Sequence, residues 1–126
     1  RGWTYQPHLM TEIKDGKGNT VLKARVKKIN LPVAEENLKF VREAMKNVVN
    51  TQKGTAYWSR LDSIIVAGKT GTAQNPHGED HSLFVGFAPF EDPEIVVYTV
   101  IENAGHGSSH AAPVTTKLIK RYLTKN

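Results

Sequence analysis

The sequence predicts an α+β fold, an antiparallel sheet of three main strands plus a small hairpin, packed with two helices. Three patterns carry that expectation. Three apolar, strand-like runs follow one another through short turn-rich links; one segment repeats apolar residues at three- and four-residue steps; and a second helical pattern closes the chain behind a proline. At 126 residues one domain is expected.

Residues 1–30 read as an extended hairpin region. Leu9 to Ile13 and Asn19 to Leu22 flank Asp15-Gly16-Lys17-Gly18, whose glycines suit the positive φ angles of a tight turn. Residues 31–53 read as a helix that Pro32 opens and Gly54 stops. Leu38, Val41, Met45, Val48 and Val49 form its inward stripe, and Glu35 and Lys39 pair at i and i+4. Residues 54–126 read as a three-stranded sheet and a C-terminal helix. The strands are Ser63 to Gln74, Ser82 to Ala88 and Glu94 to Glu102, and their short connections make them antiparallel neighbours in chain order, with the Lys69 strand outermost. The last, with its continuous run Ile95 to Ile101, is expected to be covered on both faces and to need a partner strand from elsewhere. After Ala111-Ala112-Pro113 the final helix shows Val114, Leu118, Tyr122 and Leu123 on one face.

Composition bounds the function. With 39% hydrophobic and 23% charged residues this is an ordinary globule, and no apolar run approaches the roughly twenty residues of a membrane span. The net charge of +5 comes from dispersed lysines without interleaved aromatics, so it reads as solubility and not as a nucleic-acid surface. The absence of cysteine removes disulfides, thiolate metal sites and a cysteine nucleophile. No cofactor is expected. His77 and His81, like His106 and His110, share an H-x-x-x-H spacing, but both pairs fall in predicted loops and no metal site is expected there; they read as solvated or bracing histidines. Trp3, Trp58, Phe84 and Phe87 read as packing residues.

The chemistry concentrates at Lys69-Thr70-Gly71-Thr72, directly after Ile64 to Gly68. An amine, two hydroxyls and a bare backbone on one outer strand can hold a carboxylate and steady an oxyanion. Alone, the tripeptide has a second reading, a solvated strand edge that blocks aggregation. Alternation adds a complication: Thr70 and Thr72 share one face, Lys69 and Gly71 the other, so the lysine must reach round the edge to join the threonines. No nucleophile accompanies it. Ser59, Ser63, Ser82, Ser108 and Ser109 are followed three residues on by Asp62, Val66, Val85, Ala111 and Ala112, never by lysine.

K-T-G is the third element of penicillin-interacting serine enzymes, beside S-x-x-K and S-D-N. Here it stands in an ordered series: Gly54-Thr55-Ala56, Val66 to Gln74, His81 to Pro89, Glu102-Asn103 and Ala111-Ala112-Pro113. That series resembles the C-terminal part of the class B penicillin-binding proteins, most of all the elongation type, penicillin-binding protein 2. The resemblance covers nearly the whole chain. It implies a serine D,D-transpeptidase that cross-links peptidoglycan stem peptides, is acylated by β-lactams, and faces the periplasm from the inner membrane beside a glycosyltransferase of the elongation machinery. It further implies catalytic roles for Lys69 and Thr72, with the Thr72 N-H as one oxyanion donor, and substrate binding by Thr70, Gly71 and Thr72. The missing S-x-x-K and S-x-N elements, and the sheet's first two strands, are expected in polypeptide before Arg1, so this chain alone should be inactive. A β-lactamase or β-lactam sensor, and a non-catalytic module that binds a peptide carboxylate, are the alternatives.

Overall fold

The structure is a computed structural model that describes residues 2–125. It divides into two compact units, residues 1–39 and 40–126.

In the first unit two short antiparallel ladders form. β1 (Trp3–Tyr5) pairs with β4 (Lys28–Asn30), and β2 (Glu12–Lys14) pairs with β3 (Thr20–Lys23) through a bulge at Ile13/Lys14. The β1–β4 ladder adds to the expected hairpin; pairing across more than twenty intervening residues leaves no local turn signal. At the hairpin tip only Gly18 takes a positive φ, 86°. Asp15 closes the turn instead, its carboxylate accepting from Lys17 N (2.8 Å), Asn19 N (2.9 Å) and Asn19 Nδ2 (3.0 Å). No residue of 2–39 is buried.

Helix α1 (Glu35–Asn50) begins three residues after Pro32, with Glu35 and Glu36 at its positive end and a Glu35–Lys39 pair at 3.0 Å. Val49 is fully buried, and Met45 and Val48 are half-buried as expected, but Val41 is exposed. The inward face instead runs through Arg42, Lys46 and Asn50, whose heads are anchored. Arg42 Nη2 donates to Phe90 O at 2.6 Å, Lys46 Nζ lies 4.6 Å from the Phe90 ring centroid, and Asn50 Nδ2 donates to Val66 O at 2.8 Å.

The second unit is built on one sheet in the order β5 (Ala67–Ala73), β6 (His81–Ala88), β7 (Ile95–Ile101), all antiparallel. The Lys69 strand is outermost, as the short links required. It starts four residues later than expected, because Ile65 O accepts from Phe90 N and Val66 O from Asn50, which takes these carbonyls away from the β6 ladder. Helix α2 (Ala111–Leu123) covers one face of the sheet. Its buried residues are Ala111, Ala112, Thr115, Thr116 and Ile119, while the expected stripe of Val114, Leu118 and Tyr122 is exposed; only Leu123 packs against the core. Small residues win because the sheet beneath admits a close approach. A Cβ on Gly86 would already lie 3.3 Å from Thr115 Cγ2, and the Thr99 and Thr115 hydroxyls meet at 2.6 Å. Ser82 Oγ, fully buried, donates to His106 O and accepts from Ala111 N, tying β6 to the helix start.

Phe84 centres the core with Val49, Ala56, Val66, Ala88 and Ile119. Its ring lies over Gly68, where an added Cβ would come within 2.3 Å of Phe84 Cζ. The opposite face stays open: Val96, Tyr98 and Val100 are 68%, 61% and 49% exposed. The run Ile95 to Ile101 is thus covered on one face here, not on both, and its outer edge has no neighbour among the described residues. Its uniform apolarity states what both faces can tolerate, not which of them this chain covers.

Candidate active site

β5 has β6 on one side and an open edge on the other, so alternate backbone N-H and C=O groups along it point outward. Lys69, Thr70, Gly71 and Thr72 lie mid-strand, opposite Val85, Phe84, Leu83 and Ser82. Thr70 and Gly71 are half-buried, Lys69 and Thr72 exposed. The alternation that separates lysine from threonine is overcome by the lysine stem. Lys69 Nζ donates to Thr70 O at 2.8 Å and to Thr70 Oγ1 at 3.4 Å. Ammonium and hydroxyl therefore meet at one corner of the strand edge. Among the described residues Lys69 has no carboxylate partner, which leaves its charge for a ligand.

A third group joins them. Thr55, in the turn after α1, places its hydroxyl 3.2 Å from Thr70 Oγ1. In the sequence Gly54-Thr55-Ala56 is a helix stop and one block of the motif series, with no contact foreseen for Thr55. The residue order carried the block, but a contact fifteen residues away in sequence follows only from the way the turn is held against the sheet.

The far end of β5 is braced by two loops. Asn75 Nδ2 donates to Asn103 Oδ1 at 2.6 Å, Asn103 N to His81 Nδ1 at 3.1 Å, and Gly105 N to Asp80 O at 2.7 Å. Asn103 takes a left-handed φ of 52° to do so. Gly107 lies against the strand itself, since a Cβ there would come 2.4 Å from Gly71 O and 2.2 Å from Leu83 O. His81 thus has a bracing contact, while His77 takes part through its backbone N-H, which donates to Asn75 Oδ1. Of the packing aromatics, Phe84 is buried and Phe87 stacks on Phe90 with centroids 6.4 Å apart. Trp3 is half-buried beneath Lys28 Nζ, 4.3 Å from its ring centroid. Trp58 contradicts its expectation. It is 91% exposed on a single 3-10 turn (Tyr57–Ser59), whose neighbours Ala56 and Ser59 take the buried positions.

The corner therefore combines an ammonium, two hydroxyls and a free strand edge, a set of donors suited to a carboxylate or a developing oxyanion. Residues 1–120 match the family described as "Penicillin binding protein transpeptidase domain". This chain belongs to that family. Among penicillin-binding proteins it is 38% identical, over 83% of its length, to the peptidoglycan D,D-transpeptidase MrdA of Acinetobacter baumannii. Two solved structures are similar in fold as well. The D,D-transpeptidase domain of the Eggerthella lenta peptidoglycan glycosyltransferase matches 97% of the chain at 34% identity and a TM-score of 0.66. Pseudomonas aeruginosa PBP2 matches 85% of it at 35% identity and a TM-score of 0.70. The chain spans 18% of the Acinetobacter protein, and 29% and 23% of the two solved chains. Among its described residues no helix is long and apolar enough to cross a membrane.

Proposed function

We propose that this chain is the C-terminal portion of the transpeptidase domain of an elongation-type penicillin-binding protein. It supplies the wall of the active site that binds the substrate carboxylate and steadies the oxyanion. Lys69 sets the positive potential, the Thr70 and Thr72 hydroxyls hold the carboxylate of a peptidoglycan stem peptide or a β-lactam, Gly71 lets the ligand approach the backbone, and the Thr72 N-H is one oxyanion donor. The acylated serine belongs to polypeptide outside residues 1–126, as do the strands that extend the sheet. Acylation then runs as serine attack on the donor carbonyl, with negative charge developing on an oxygen held at the β5 edge; collapse of the tetrahedral intermediate breaks the carbonyl C–N bond, and the proton given up by the serine goes to the departing nitrogen. The parent protein works at the periplasmic face of the inner membrane beside a membrane glycosyltransferase.

The observation that carries this reading is Lys69 Nζ turned round the strand edge to the Thr70 carbonyl and hydroxyl, 2.8 and 3.4 Å away, with no carboxylate paired to it among the described residues. The absence of any serine followed three residues later by lysine supports the division of labour. The test is covalent labelling with a fluorescent penicillin. The 126-residue chain should take no label, and a stoichiometric serine adduct would refute the reading. In the longer protein Lys69→Ala should slow acylation about a hundredfold; unchanged labelling kinetics would remove Lys69 from the site. Rapid nitrocefin turnover by the longer protein would move it to the β-lactamases.

A further inference from the structure

We propose that Thr55 is a positioning residue of this carboxylate corner, acting through the hydroxyl of Thr70. The inference rests on the reading of Lys69 to Thr72 given above and adds a residue from a different element.

A threonine hydroxyl has one proton and two lone pairs. The Lys69 ammonium can only donate, so where it meets Thr70 Oγ1, at 3.4 Å, it takes one of the two lone pairs. Thr55 Oγ1, 3.2 Å away on the same oxygen, can fill the second by donating to it. With both lone pairs engaged, the proton of Thr70 is left for an outside acceptor. A carboxylate, which only accepts, is the ligand that arrangement selects. Polarisation along the chain Lys69, Thr70, carboxylate strengthens that last bond. Without the Thr55 hydroxyl the Thr70 proton is free to turn back toward the protein.

The placement of Thr55 is built and not incidental. Gly54 before it touches the end of α1 so closely that a Cβ would lie 2.3 Å from Val48 O. Ala56 after it is buried in the core and its N-H donates to Val48 O at 3.0 Å. Gly54 O accepts from Tyr57 N at 3.1 Å, so the turn is held on both sides of Thr55 while Thr55 itself is exposed. The three residue types of the block thus have three distinct jobs: close approach, burial, and a hydroxyl aimed at β5.

The experiment uses the longer protein that carries the acylating serine. Second-order acylation rates are measured by stopped flow with benzylpenicillin and with its methyl ester, in which the carboxylate is masked. Thr55→Val, which keeps the shape and removes the hydroxyl, should slow acylation by the free acid about three- to tenfold and leave the rate with the ester within about twofold. Thr55→Ser should restore the free-acid rate. In a Thr70→Val background, Thr55→Val should add no further loss. Equal slowing with acid and ester, or no slowing with either, would overturn the proposal; if Thr55→Val does not fold, failure of Thr55→Ser to retain the acid-over-ester preference would do the same. Loss of Lys69 dependence in the same assay would instead overturn the site reading on which the proposal rests.

Discussion

The two faces of the β5–β6–β7 sheet meet opposite fates. The face under α2 is sealed at Gly68, Gly86, Phe84 and Ser82, which are buried; Thr99 is half-buried, and Thr70 and Thr72 on β5 are half-buried and exposed. The other carries Lys69, Leu83, Val85, Val96, Tyr98 and Val100, and its β7 side lies open. The difference is one of size and fit. Glycines and hydroxyls let a helix come close and interlock, whereas branched and aromatic side chains stand clear of the pleat and hold a covering element farther off. One face is covered by α2; the other stays open along β7.

The largest effect should come from emptying the sealed face. Phe84→Ala, at a fully buried ring, should cost about 3–5 kcal/mol in denaturant unfolding. Overfilling the same face comes next. Gly68→Ala forces a Cβ to within 2.3 Å of Phe84 Cζ and 2.7 Å of Val85 O, and should cost about 1–3 kcal/mol. On the open face Tyr98→Ser should change the stability of this chain by no more than about 0.5 kcal/mol. The same change in the longer protein should cost more, because burial there would be lost; an equal, small effect in both would show that the face stays bare. Tyr98→Ser destabilising this chain as much as Phe84→Ala would break the comparison altogether.

The smallest effect lies outside the sheet. The side-chain bond from Asn19, helped by the Asn19 and Lys17 backbone amides, holds the exposed Asp15 carboxyl below its usual 3.8. A depressed folded-state value means that its contribution is present above pH 3.8 and is lost as the pH falls through that lower value. The Lys17 and Asn19 amide resonances should shift in that acid range, and Asp15→Asn should abolish the titration. Movement of sheet resonances in step with them would couple the hairpin to the faces compared above.

Much of this was legible in the residues. Three runs with turn-rich links of a few residues specify antiparallel neighbours in chain order, and that alone places Lys69 on an outer strand. The Asp15 to Gly18 turn was legible for the same reason, although its side chain, more than its glycines, closes it. The errors share one cause. Val41, Val114, Leu118 and Tyr122 are as apolar as the buried residues beside them, and Trp58 more so, but apolarity reports willingness to be covered and not the presence of a cover. Thr55 was legible as part of a motif and silent as a contact.

The sequence by itself determined the α+β class, the order of the two helices and three main strands, and the motif series, because period, turn chemistry and residue order are local properties. Tertiary structure alone decided which face of α2 enters the core, how Lys69 rounds the edge of β5, and that Thr55 meets Thr70. Those outcomes depend on close approach between segments distant in the chain, where a glycine or a threonine counts for the space it leaves and the bond it completes.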